Sequence, residues 1–69
     1  MRILSLLKFL MDNIETIKEL IVMINDLFGD PQTFAAKNYP AINEACFHSG
    51  ENIEDLKDYI LTQKKADEA

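Results

Sequence analysis

Ile3, Leu7, Leu10, Ile14, Ile17, Ile21, Ile24 and Phe28 recur along the first part of the chain at spacings of 4, 3, 4, 3, 4, 3 and 4. An unbroken alternation of this kind is a heptad seam, and it predicts one long amphipathic helix over about residues 3–28. The polar residues Ser5, Asp12, Glu15, Glu19 and Asp26 fall opposite the seam, while Leu6, Leu20 and Leu27 flank and widen it. Isoleucine at both seam positions disfavours a simple parallel two-stranded coil and fits bundle packing. A helix of this length spans roughly 39 Å at 1.5 Å per residue, more than the short segments that follow can cover. The eight seam residues are therefore expected to form an oligomer interface, most simply a homodimer.

Beyond residue 28 the pattern is punctuated rather than periodic. Gly29 is placed to end the long helix in a left-handed conformation. Asp30-Pro31 reads as a cap followed by proline in the first turn of a short helix over about 31–37, anchored by Phe34. Asn38-Tyr39-Pro40 breaks the chain again, and Pro40 opens a third helix over about 40–48 with Ile42, Ala45 and Cys46 inward. Ser49-Gly50 closes it. Asn52 then caps a last helix over about 52–65, with Asp55 as its partner in an imperfect capping box. Ile53, Leu56 and Ile60 form its inner face. Glu54, Asp55 and Asp58 near its start and Lys64-Lys65 near its end suit the helix dipole. Residues 66–69 are expected to fray. The fold class is all-α, a single domain with an oligomerisation segment over 1–29 and a small bundle over 30–65.

Within that bundle, Ala45, Ser49, Gly50, Asn52, Ile53, Glu54, Tyr59, Ile60 and Leu61 stand in step with the last two helices of a ubiquitin-associated (UBA) domain. The chain resembles that family over about residues 31–65. Lys37-Asn38-Tyr39-Pro40 sits where the family carries its Met-Gly-Phe-Pro-like loop. The signature Met and Gly are absent, the Pro40–Ala45 stretch is about two residues shorter than usual, and Cys46 replaces the usual leucine. Leu56 stands where a small alanine is common. The resemblance implies a three-helix core and a ligand surface on Asn38, Tyr39, Tyr59, Leu61 and Thr62, with a ubiquitin-like protein as the partner. UBA-like helices also occur in proteins that do not bind ubiquitin, such as the elongation factor Ts family. Read without the resemblance, Tyr39 and Tyr59 cover the edge of the core with their hydroxyls in water.

Composition narrows the functions further. Seven basic and twelve acidic residues among 69 give a formal net charge of −5. That balance argues against binding a phosphate backbone, including by a helix-turn-helix, whose recognition helix would offer Glu54, Asp55 and Asp58. Ser5 and Lys8 interrupt the apolar run after Arg2 and no small-residue cleavage site follows, so a signal peptide is not expected. Asp12, Asn13, Glu15 and Lys18 likewise exclude a membrane span, and the acidic polar face argues against a membrane-surface helix. A cytoplasmic protein is expected. With a single cysteine, no internal disulfide can form, which fits a reducing compartment.

Catalytic chemistry is thin. Cys46 and His48 are two apart on one helix and point in different directions, and their spacing matches no zinc pattern. The pairs Glu51–Asp55 and Glu54–Asp58 sit on an exposed helix start, where dipole stabilisation explains them. No phosphate-cradling loop exists, since Gly29 and Gly50 are the only glycines. No enzyme activity, metal or cofactor is expected. The chain reads as an interaction protein that self-associates and binds a protein partner through its C-terminal helices. The alternative is a small acidic helical oligomer, structural or inhibitory, that occupies a basic site on a target.

Overall fold

The structure, a computed structural model, describes Arg2–Glu68, with side chains from Ile3 onward. Met1 and Ala69, the latter the last residue of the expected frayed tail, lie outside the described residues. Four α-helices follow one another: α1 (Arg2–Met11), α2 (Ile14–Gly29), α3 (Pro40–His48) and α4 (Ile53–Glu68). Two 3₁₀ turns, Pro31–Thr33 and Ala36–Asn38, link α2 to α3. Among the described residues there is no strand.

The long helix expected over residues 3–28 is divided at Asp12-Asn13. Asn13 is extended, and its side chain accepts the N–H of Glu15 at 3.0 Å, which starts α2 afresh. The Thr16 hydroxyl lies 2.5 Å from the carbonyl oxygen of Leu10 and 2.9 Å from that of Asn13, sharing its proton between them. Two short polar residues that cap better than they propagate have interrupted an apolar pattern that carries on regardless. The molecule is 32 Å in its longest dimension, less than the roughly 39 Å an unbroken helix would need.

On either side of the break each helix buries its own face. In α1 the core takes Ile3, Leu6 and Leu10, and in α2 it takes Thr16, Leu20, Met23 and Leu27. The buried stripe of α2 is thus the seam of Ile17, Ile21, Ile24 and Phe28 moved one residue back, a rotation of about 100°. α2 packs against α1, α3, α4 and the Pro31–Thr33 turn, so it is the hub of the fold. Ile42, Ala45 and Cys46 from α3 and Ile53, Leu56 and Ile60 from α4 complete the core, together with Tyr39.

Local chemistry explains the remaining boundaries. α2 ends without a left-handed glycine, contrary to expectation: Gly29 stays helical, and the N–H of Asp30 closes the last turn on Asp26 O at 2.8 Å. The Asp30 side chain then accepts from Gln32 N at 3.1 Å and opens the first 3₁₀ turn. The helix expected over 31–37 is replaced by the two turns, with Phe34 and Ala35 between them. α3 occupies the expected residues and closes at Gly50, whose φ of +71° is the left-handed cap. Glu51 N bonds Cys46 O at 2.8 Å and Gly50 N bonds Phe47 O at 3.2 Å, the paired bonds of a Schellman ending. Asn52 accepts Glu54 N at 2.9 Å and starts α4, which continues to Glu68 where fraying from Ala66 is expected.

Candidate interaction surface

Two polar contacts fix the frame on which the surface is built. The Glu19 carboxylate, on α2, accepts the N–H of Ala41 and of Ile42, each at 3.1 Å, and so caps the start of α3 from another helix. Two turns further along α2, Asp26 accepts the hydroxyl of Tyr39 at 2.7 Å. Phe34 stacks on the Tyr39 ring, with centroids 5.7 Å apart, and the Lys57 ammonium lies 5.2 Å above Phe34. The acidic edge of α2 thus binds α3 and its approach loop, while the opposite edge of α2 is left to its apolar residues.

That opposite edge is open. Ile14, Ile21 and Phe28 are 62%, 57% and 44% exposed, and they lie seven residues apart along one line of α2. Ile17 and Ile24 lie between them, half-buried. On α1, Leu4 and Met11 are similarly exposed and stand one turn either side of Leu7. Leu7 joins the two helices through a groove of about 190 Å³ that it lines with Leu20, Ile24, Phe28, Tyr59, Ile60 and Gln63. Scattered surface apolar residues are ordinary, but a contiguous apolar face marks an interaction site. At one end Lys64 donates to the Phe28 carbonyl at 3.0 Å and lies 5.7 Å from the Phe28 ring.

The expected interface residues divide accordingly. Ile3 and Leu10 are corrected: they are buried within the single chain and offer no surface to another molecule. Leu7, Ile17 and Ile24 are half-buried, and Ile14, Ile21 and Phe28 face outward. Leu4 and Met11 are the residues that sequence reasoning passed over. Their spacing about Leu7 is a second, parallel stripe on α1, and it was the available signal.

The residues expected to bind a partner are not brought together. Tyr39 is 1% exposed with its hydroxyl bonded to Asp26, so it presents no surface. Burial, then the Asp26 hydrogen bond and charge, push its phenol up to about 12. Asn38 is exposed in the loop. Tyr59 lines the α1–α2–α4 groove, whereas Leu61 and Thr62 line a separate cleft with Pro31, Lys64 and Lys65.

Cys46 is buried, and burial pushes its thiol up, with Glu51 and Asp55 adding to the shift. His48 sits on the surface, 3.7 Å from Glu44, and packs edge-on against the exposed Phe47. A buried, protonated thiol and a solvated imidazole do not make a nucleophile and base. Among the described residues, no three His, Cys, Asp or Glu side chains converge in a metal-holding arrangement. No helix among them is long and apolar enough to cross a membrane. The chain matches no family model, no curated protein and no solved structure.

Proposed function

We propose that the chain is a non-enzymatic interaction module that associates with further copies of itself through the apolar face of α1 and α2. One observation carries this reading: Leu4 and Met11 on α1 and Ile14, Ile21 and Phe28 on α2 are each about half exposed, and Phe28 lines a groove with Leu7 of α1. Five such side chains present on the order of 500 Å² of apolar surface, a size that on a monomer is often functional. Two such faces together bury on the order of 1,000 Å², the lower bound for a specific interface. Burial of that area contributes through the hydrophobic effect, which needs no further chemistry at the site.

The reading in which the C-terminal helices hold a ubiquitin-like partner loses Tyr39 from its surface and keeps Leu61 and Thr62 beside Pro31. It is the weaker of the two. The test is the mass in solution by light scattering across a hundredfold concentration range, for the wild type and for Ile21→Asp. The expected outcome is a dimeric wild type and a monomeric variant with unchanged helix content. A wild type that stays monomeric throughout overturns the reading.

A further inference from the structure

The inward residues of α1 and α2 belong to one heptad series, although the two helices are separate. Ile3, Leu6 and Leu10 are buried on α1, and the same alternation of 3 and 4 continues through Ile17, Leu20, Ile24 and Leu27 on α2. Leu20 and Leu27 are buried, Ile17 and Ile24 are half-buried, and Asn13 is the one polar member of the series. The other buried residues of α2, Thr16 and Met23, stand one position to its side. An unbroken helix from Arg2 to Gly29 would therefore carry both inward stripes along one side. The pattern serves a straight helix as well as the bent one.

The link between the helices is two residues, Asp12 and Asn13, and neither is glycine or proline. Asp12 N still donates to Lys8 O at 3.1 Å, as in a continuing helix. The turn is made at Asn13, which is extended at φ −122° and ψ 123° and held by its side chain on Glu15 N. The Leu10 carbonyl, which an unbroken helix would give to Ile14 N, instead takes the Thr16 hydroxyl. Bent and straight forms thus trade side-chain hydrogen bonds for backbone ones. Straightening the link carries α1 away from α2 and α3, the helices it packs on, and uncovers Ile3, Leu6 and Leu10. A second opened copy offers the identical surface, so the contacts of α1 can be remade between chains.

We infer that Asp12-Asn13 is a hinge through which two copies of the chain exchange α1, each copy packing its α1 on α2 and α3 of the other. Short links between packed elements favour such exchange, because folding back within one chain constrains the link and straightening releases it. The exchanged dimer goes beyond association through the open face and does not depend on it, since Ile21 is exposed and outside the core that α1 joins.

Ser5 on α1 and Ser49 at the end of α3 line one cleft and are both exposed, so a short bismaleimide can join cysteines placed there. Ser5→Cys and Ser49→Cys are carried on separate chains, which are unfolded in urea, mixed and refolded together at high concentration. Chains folded separately and then mixed set the background, including any labelling of the buried Cys46. Exchange predicts a mixed covalent dimer above that background only in the sample refolded together. Asn13→Ala removes the cap and favours the straight helix, whereas Asn13→Gly tolerates the bend and weakens the helix. The yield of mixed dimer should therefore be at least about tenfold higher with alanine than with glycine. Circular dichroism checks that both variants keep their helices. Equal yields from the two, or no product above background from Asn13→Ala, overturn the hinge. So does a product that vanishes with Ile21→Asp, because that linkage belongs to the open face. A wild type that stays monomeric when folded at low concentration overturns the open-face reading and leaves the exchange to the refolded mixture.

Discussion

The hydroxyl of Tyr39 donates to Asp26 Oδ2 across 2.7 Å, tying the loop before α3 to the edge of α2. The contact links two segments that share no local pattern, and it makes part of the stability depend on a phenol staying protonated. The folded phenol is pushed up to about 12 by burial and by Asp26, whereas an unfolded tyrosine titrates near 10. Between those values the unfolded state binds fewer protons than the folded one, so stability falls as pH rises. The contribution is complete below about pH 10 and is lost towards pH 12. Urea midpoints measured from pH 8 to 12 should drop steeply in the wild type and less in Tyr39→Phe. At pH 7 the same substitution should cost about 1–3 kcal/mol, since it leaves the half-buried Asp26 carboxylate without its partner. Equal alkaline slopes in the two proteins would show that the contact is idle.

Glu19 holds α3 in a comparable way, through Ala41 N and Ile42 N. Tyr39 occupies the cap position of α3 without a side-chain capping bond, so the carboxylate from α2 supplies what the local sequence lacks. Glu19→Ala should lower stability by about 1–2 kcal/mol, the usual cost of losing a helix cap. Glu19→Gln keeps one acceptor oxygen and should cost less. Thermal unfolding of the two variants beside the wild type checks the order.

How much of this fold is legible in the chain depends on how far apart the deciding residues are. Pro40, Ser49-Gly50 and Asn52 act on their own neighbours, and α3 and the start of α4 fall where those residues place them. The break at Asp12-Asn13 is local too, but an apolar periodicity runs straight through it and masks the capping signal. The phase of α2 is harder still, because Leu20 and Leu27 compete with Ile21 and Phe28 for the inside, one residue apart. Nothing in the hydrophobic count separates those stripes. The inward side of α2 is the one that packs against α1, α3 and α4, partners that lie elsewhere in the chain. Glu19 and Tyr39 were unreadable for the same reason: their partners lie 22 and 13 residues away. The open face was legible as a seam, but its loss of Ile3 and Leu10 to the core was not.

The phase of α2 is itself testable by neighbouring substitutions. Leu20 is 6% exposed in the core and Ile21 is 57% exposed beside it. Leu20→Ala should cost about 2–5 kcal/mol through lost burial and the cavity left behind. Ile21→Ala should change the stability of the monomer by no more than about 0.5 kcal/mol. Urea unfolding at low protein concentration separates the two. The reverse order would restore the seam to the core and remove the open face.

Cys46 offers a probe of the whole core, since its thiol is buried and pushed up in pKa. A thiolate is the reacting species, so both effects slow attack. Labelling by a maleimide at pH 8 should be at least about a hundredfold slower in the native protein than in urea, because it must wait for opening of the α3–α4 packing. Leu56→Ala should speed native labelling by loosening that packing. Equal rates in native and unfolded protein would place Cys46 at the surface.

The two glycines should respond in opposite directions to the same change. Gly29 sits in the last turn of α2 with no positive φ, and a Cβ there meets nothing within 4 Å. Alanine costs less backbone entropy on folding, so Gly29→Ala should stabilise by about 0.5–1 kcal/mol. Gly50 also has open space around it, yet its φ is +71°. An L-residue there is strained by the backbone itself, so Gly50→Ala should destabilise by about 1–2 kcal/mol. Gly50→Asn should lose less, because asparagine tolerates the left-handed region. Thermal unfolding of the three variants therefore separates space from conformation: if Gly50→Ala were neutral, the Schellman ending of α3 would not be what turns the chain into α4.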